Sequence, residues 1–221
     1  MKLARIIMPM VFFMGSSLAF SDTTLNLSAL KNGELIENYF NGGYGSLGSG
    51  PGPNYGISFS SLMAIISTNS GGSGSFSNNP SGGPVMYFVN YTEGYMDVPA
   101  GFGSSLSFYY AASKSGGLVT VWSGLDGTGT ELAFLDLPLQ FENEDNWYGT
   151  WSPETTSFSG IAESVSFGPA ADSGYIGFDE ISVGPWAQGG GGGSEVPEPG
   201  SFVLFGAGLI GLVSAVRRRP A

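Results

Sequence analysis

Leu106-Ser107-Phe108-Tyr109-Tyr110 is the stretch on which the reading of the fold turns. One face of this segment, in extended form, carries Leu106, Phe108 and Tyr110, the period-two alternation of a sandwich strand with one side buried. Working outward, similar runs rich in β-branched or aromatic residues recur at Leu35 to Phe40, Ile57 to Ser67, Val85 to Tyr91, Leu106 to Ala112, Leu118 to Trp122, Glu131 to Leu137, Ala162 to Phe167 and Tyr175 to Val183. Clusters of Gly, Pro, Asn and Ser separate them at short intervals. No sustained helical periodicity appears between residues 22 and 187. The expectation is an all-β domain, an antiparallel β-sandwich of jelly-roll type. One hairpin can be placed directly. Val119 to Trp122 leads through Asp126-Gly127 into Leu132 to Leu135, and glycine after aspartate takes a positive φ at no steric cost. The segment from Ser67 to Pro84, rich in Ser, Gly and Asn, reads as a long mobile loop.

The totals fit that class. There are 221 residues, enough for one ordinary domain plus targeting segments, with 37 glycines, 14% aromatic and only 11% charged residues. A disordered chain would carry more charge and fewer rings. Of seven basic residues, only Lys31 and Lys114 lie away from the termini, and the formal net charge is −11. Nucleic-acid binding needs clustered Lys and Arg to displace phosphate counterions, so it is excluded as a function class. Cysteine and histidine are absent, which removes disulfides, thiolate nucleophiles, Cys/His zinc sites and Ser-His-Asp triads.

Both ends read as targeting segments. Lys2 and Arg5, the apolar run Ile6 to Phe13 and the small residues before Phe20 form a secretory signal peptide over 1–21. It implies passage through the Sec translocon and cleavage by signal peptidase. The domain then occupies 22–187, and a Gly-rich linker with no side chains to pack occupies 188–195. Residues 196–221 hold Val196-Pro197-Glu198-Pro199, an apolar transmembrane helix over 201–216 and Arg217-Arg218-Arg219. Such a helix is about 24 Å long against a hydrocarbon core of about 30 Å, a marginal anchor suited to a temporary stop. The three arginines act as a topology signal that keeps the tail end cytoplasmic and the domain outside.

Val-Pro-Glu-Pro, a glycine-bearing apolar helix and a terminal arginine cluster resemble the PEP-CTERM sorting signal. The resemblance implies a Gram-negative host and processing by exosortase, a transpeptidase-like membrane enzyme, with Val196, Pro197, Glu198 and Pro199 as the sorting and processing motif. It further implies transient inner-membrane insertion, a final place at the cell surface or outside the cell, and association with exopolysaccharide in a biofilm. The segments Phe158 to Gly168 and Gly177 to Gly184 are similar to the closing strands of PEP-CTERM ectodomains and carbohydrate-binding jelly rolls, where the closing-strand acid can help to hold calcium. Asp179 is the matching position.

Three features of the domain bear on chemistry. Trp147, Tyr148 and Trp151 follow Glu142, Glu144 and Asp145, and rings beside carboxylates could form a glycan platform; the reading as plugs for the end of a sandwich stands first. Asp126, Thr128 and Thr130 alternate like calcium ligands, although no glutamate closes an EF-hand spacing, so the turn reading stands first. Gly43-Tyr44-Gly45-Ser46-Leu47-Gly48 matches the dinucleotide fingerprint by letter but lacks its strand-turn-helix context. The expected function is a non-catalytic, exosortase-sorted surface or matrix protein with no catalytic residues and no cofactor beyond calcium. A carbohydrate-binding module built on Trp147 to Trp151 is the alternative, and a glycoside-active enzyme stands behind it.

Overall fold

The structure is a computed structural model and describes residues 22–72, 75–88, 92–113, 116–140, 148–170 and 176–185. The signal peptide, the whole linker, Trp147 and the whole sorting tail lie outside the described residues. Ten strands follow in chain order: β1 (Thr23–Thr24), β2 (Glu34–Leu35), β3 (Ser58–Ser60), β4 (Leu62–Ile66), β5 (Pro84–Phe88), β6 (Gly94–Ala112), β7 (Gly117–Trp122), β8 (Glu131–Leu137), β9 (Ser152–Pro169) and β10 (Ile176–Val183). Every pairing is antiparallel. The hydrogen-bonded order is β2-β4-β5-β10-β6-β9-β7-β8, with β1 on β10 and β3 on β6.

This ladder is two sheets joined by two long bent strands. The first half of β6 pairs with the second half of β9 (Gly94 with Phe167 to Asp97 with Ser164), and the second half of β6 pairs with the first half of β9 (Ser105 with Ser157 to Tyr110 with Ser152). Register shifts separate the halves. The sequence explains the break: Pro99 has no N–H to give a ladder, and Gly101, Ser104 and Gly160 all take positive φ there. The first sheet holds β1, β2, β4, β5, β10 and the adjoining halves of β6 and β9; the second holds β3, β7, β8 and the other halves. Their inner faces meet in an aromatic core. Phe178 of the first sheet lies 4.9 Å from Phe167 of the second, and Phe108 lies 5.6 Å from Phe178 and 6.3 Å from Phe167, all edge to face. The protein is a β-sandwich.

Several expected elements differ. Ile57 to Ser67 is two strands, β3 and β4, parted at Ser61, whose φ is 58°, and the runs Leu106 to Ala112 and Ala162 to Phe167 are parts of the longer β6 and β9. Leu35 to Phe40 is strand only over Glu34–Leu35; beyond it Glu37 takes a φ of 45° and the chain turns. Ile36, Tyr39 and Phe40 are still buried, Phe40 packing among Tyr39, Tyr55 and Phe59. The apolar signal there reports burial rather than extension. The segment after Ser67 is loop, with one short 3-10 turn (Thr68–Ser70), but its middle is fastened down: Phe76, Ser77 and Asn79 are buried.

Candidate functional site: a groove on the outer face of the first sheet

The alternation that buries Leu106, Phe108 and Tyr110 of β6 turns Ser107 and Tyr109 outward. Antiparallel register then sets Pro153 of β9 and Asp179 of β10 on either side of Tyr109. Thr155 and Ser182 flank Ser107 in the same way, and β1 extends that row with Thr24 beside Ser182, the two hydroxyls hydrogen-bonded. A bulge between Asp179 and Ser182 interrupts β10, and Glu180 takes a φ of 48° and stands exposed. The result is a groove of about 360 Å³ lined by Thr24, Ser107, Tyr109, Pro153, Thr155 and Ser182, with Glu180 at its wall; Glu154 also borders it, but its place opposite Phe108 turns its side chain to the inner face. Burial, and then the charge of Glu154, push the Tyr110 phenol beneath it above its ordinary pKa. A ring and a proline flanked by hydroxyls and a carboxylate match a pyranose, which has apolar C–H faces and an edge of hydroxyls.

The other end of the same face is closed. Ala111 and Gly177 pair across β6 and β10, and Phe76 from the 67–84 loop lies over them with Val85 and Tyr148. A Cβ at Gly177 would come within 2.5 Å of the Phe76 ring, so glycine is needed for the close approach. Tyr148 is buried, with a φ of 60°, and its ring centroid is 5.1 Å from that of Phe76. Trp151 is half-buried against Phe76, and its indole N–H donates to the Ser77 carbonyl at 2.8 Å. Of the expected platform, Tyr148 is therefore a plug and offers no ring face to a sugar. Trp151 is tied into the same cluster, and Trp147 lies outside the described residues with Glu142, Glu144 and Asp145.

The two aspartates considered for calcium have other partners. Asp179 is buried beside Tyr109, and its Oδ2 accepts from the Asn79 side-chain amide at 3.1 Å and the Ser81 N–H at 2.8 Å. It pins the 67–84 loop to the sheet. Asp126 and Gly127 take φ values of 52° and 66°, the paired positive angles of an Asp-Gly turn, and the Asp126 N–H donates to Asp97 Oδ1 at 2.8 Å. The Thr128 hydroxyl donates to the Leu125 carbonyl within that turn. Among the described residues no group of three or more acidic side chains is placed to hold a metal ion.

A carboxylate that sequence reasoning passed over is the most enclosed of all. Glu34 is fully buried. It accepts from the N–H groups of Lys31, Leu47 and Ser49 at 2.7, 3.0 and 2.9 Å and from the Ser49 hydroxyl at 2.6 Å. Burial alone would raise its pKa; the Ser49 hydroxyl and the three backbone donors outweigh that and hold it at about 2, against an ordinary 4.5. Leu47 in the Gly43 to Gly48 loop and Ser49 just after it thus do cradle an anion with backbone N–H groups, but the anion is the protein's own. A Cβ at Gly45 would lie 2.6 Å from Glu34 Oε1. The signal available was a glycine-rich loop with two acids, Glu34 and Glu37, just upstream, and nothing in the sequence singles out Glu34.

Outside the described residues, the match to a family model is direct: residues 195–219 fit the PEP-CTERM protein-sorting motif. The chain carries a PEP-CTERM sorting signal. That motif marks an exported protein sorted by exosortase to the surface of a Gram-negative cell, and it contains Val196 to Pro199 and Arg217 to Arg219. No curated protein sequence matches the PEP-CTERM chain. Among solved structures it is similar to a family 29 carbohydrate-binding module from Piromyces equi, at 10% identity and a TM-score of 0.42 over 75% of this chain and 91% of that one. It is also similar to a family 6 carbohydrate-binding module, at 16% identity and a TM-score of 0.37 over 58% and 86% of the two chains. A third is a glycoside hydrolase family 43 arabinoxylan arabinofuranohydrolase from Bacillus subtilis, at 17% identity and a TM-score of 0.38. The aligned part is 56% of this chain and only 24% of that enzyme.

Proposed function

We propose that this is a non-catalytic surface protein that, once exported, holds a polysaccharide chain in the groove beneath Tyr109. In this reading the signal peptide directs the chain through the Sec translocon and signal peptidase removes it. The helix over 201–216 then stops it briefly in the inner membrane, with the arginines inside, until exosortase acts at Val196 to Pro199. The sandwich reaches the cell surface or its matrix, where exopolysaccharide is the polymer at hand. Calcium has no part in this account.

The observation that carries the binding half is the juxtaposition of Tyr109 and Pro153 with two flanking hydroxyl pairs beside Glu180. Ring stacking on a sugar contributes about 0.5–1.5 kcal/mol, and the Glu180 carboxylate accepts hydroxyl hydrogens at the rim. The test is retention of the full chain on the capsular or matrix polysaccharide extracted from the producing bacterium. Wild-type protein is expected to bind, and Tyr109→Ala to be retained at least about fivefold less. Equal retention of both would remove the groove from the function. Intact-mass analysis of cell-surface protein tests the other half: a product lacking the apolar tail is expected, and an untrimmed chain ending at Ala221 in an exosortase-positive host contradicts it.

A further inference from the structure

We infer a second glycan-binding surface, on the outer face of the second sheet, so that one molecule can hold two polysaccharide chains. Val119 and Val121 of β7 are buried in the core, which puts Thr120 and Trp122 on the outer face, where Thr120 is itself covered and Trp122 half-exposed. Register aligns Tyr95 of β6, Ser166 of β9, Thr120 of β7 and Phe134 of β8 in one row across four strands. At about 4.8 Å per strand the row is roughly 14 Å long. Trp122 lies diagonally beside it, its indole N–H donating to Ser166 Oγ at 3.1 Å, which fixes the ring across the row and covers that serine. The Tyr95 phenol donates to Glu93 at 2.9 Å, and the β7–β8 turn packs on its ring, where a Cβ at Gly127 would be 2.6 Å away. Phe134 is 52% exposed. Two rings already held in place lose little freedom on binding, which favours a ligand that stacks.

Charge decides what kind of ligand. Asp97, Asp126 and Glu131 border the rings, and the chain as a whole carries −11. Like charge disfavours a second copy of this chain, an anionic membrane, nucleic acid or a polyuronate. A neutral polysaccharide has C–H faces for the rings and hydroxyl donors for the carboxylates. This surface shares no residue with the Tyr109 groove and lies on the opposite side of the sandwich, so the inference stands apart from that reading.

Affinity electrophoresis separates the two. The full chain, purified in a sugar-free detergent, is run in gels containing hydroxyethylcellulose, galactomannan or alginate, with melting temperature as the fold control. Trp122→Ala and Phe134→Ala are compared with Tyr109→Ala and with the double variant Tyr109→Ala/Phe134→Ala. Retention in a neutral polymer is expected to weaken about fivefold in Phe134→Ala, the equivalent of about 1 kcal/mol of stacking, and to vanish only in the double variant. Retention lost in Tyr109→Ala but unchanged in Phe134→Ala and Trp122→Ala overturns this surface and leaves the groove standing. Loss through Phe134 alone upholds this surface and overturns the groove. No retention of wild-type protein in any neutral gel, or strongest retention in alginate, overturns the inference outright.

Discussion

The two ends of the first sheet's outer face start from the same material and finish differently. At one end Phe76, Tyr148 and Trp151 close over Ala111 and Gly177; at the other, Tyr109 stands between Pro153 and Asp179 with an open groove beside it. Strand alternation is identical along β6, so the sheet itself does not make the difference. What differs is what lies above it. The 67–84 loop delivers Phe76 onto one end and is stopped at the other by Asp179, which holds Asn79 and Ser81. An aromatic residue on a sheet face is core or platform according to a loop that is remote in sequence.

That contrast can be broken most forcefully at the plug. Phe76→Ala empties a buried ring site and is expected to cost about 3–5 kcal/mol in denaturant unfolding. A loss below about 1 kcal/mol would mean that the end is open after all. Next comes a pair of carboxylates on the two sides of the same distinction, sealed Glu34 and exposed Glu180. Glu34→Gln is expected to cost about 1–3 kcal/mol, because donors aimed at a carboxylate meet an amide instead. Its pKa is depressed, so its contribution is complete above about pH 4.5 and is lost as the pH falls towards about 2. Stability measured across that window should fall less steeply in the variant than in wild type. Glu180→Gln should leave stability within about 0.5 kcal/mol. Smaller again is Trp151→Phe, which keeps the ring against Phe76 and removes the bond to Ser77; about 1 kcal/mol is expected from melting curves, with glycan retention unchanged.

Much of this was legible in the residues. The β7–β8 hairpin and its Asp-Gly turn follow from local chemistry, and Glu131–Leu137 is a strand over the span its pattern predicts. The first half of β9 was not legible, for a physical reason. From Ser152 to Ser157 it pairs with β6 alone among the described residues, as a sheet edge, and Pro153, Thr155 and Ser157 face solvent. An edge strand has no need of apolar alternation. Glu180 depends on a bulge, and bulges leave no periodic trace. The density of rings at Trp147 to Trp151 suits a plug first and a site second, since both bury aromatic surface, and Phe76, some seventy residues upstream, decides for the plug at Tyr148.

The most direct measurement takes both ends at once: retention of the full chain on its host's polysaccharide, with melting temperature, for Tyr109→Ala beside Trp151→Phe. The groove account predicts that Tyr109→Ala loses at least about fivefold in retention while its stability changes by no more than about 0.5 kcal/mol, and that Trp151→Phe retains the polymer as wild type does. Undiminished retention in Tyr109→Ala together with loss in Trp151→Phe would contradict it, and would put the binding surface at the end described here as closed.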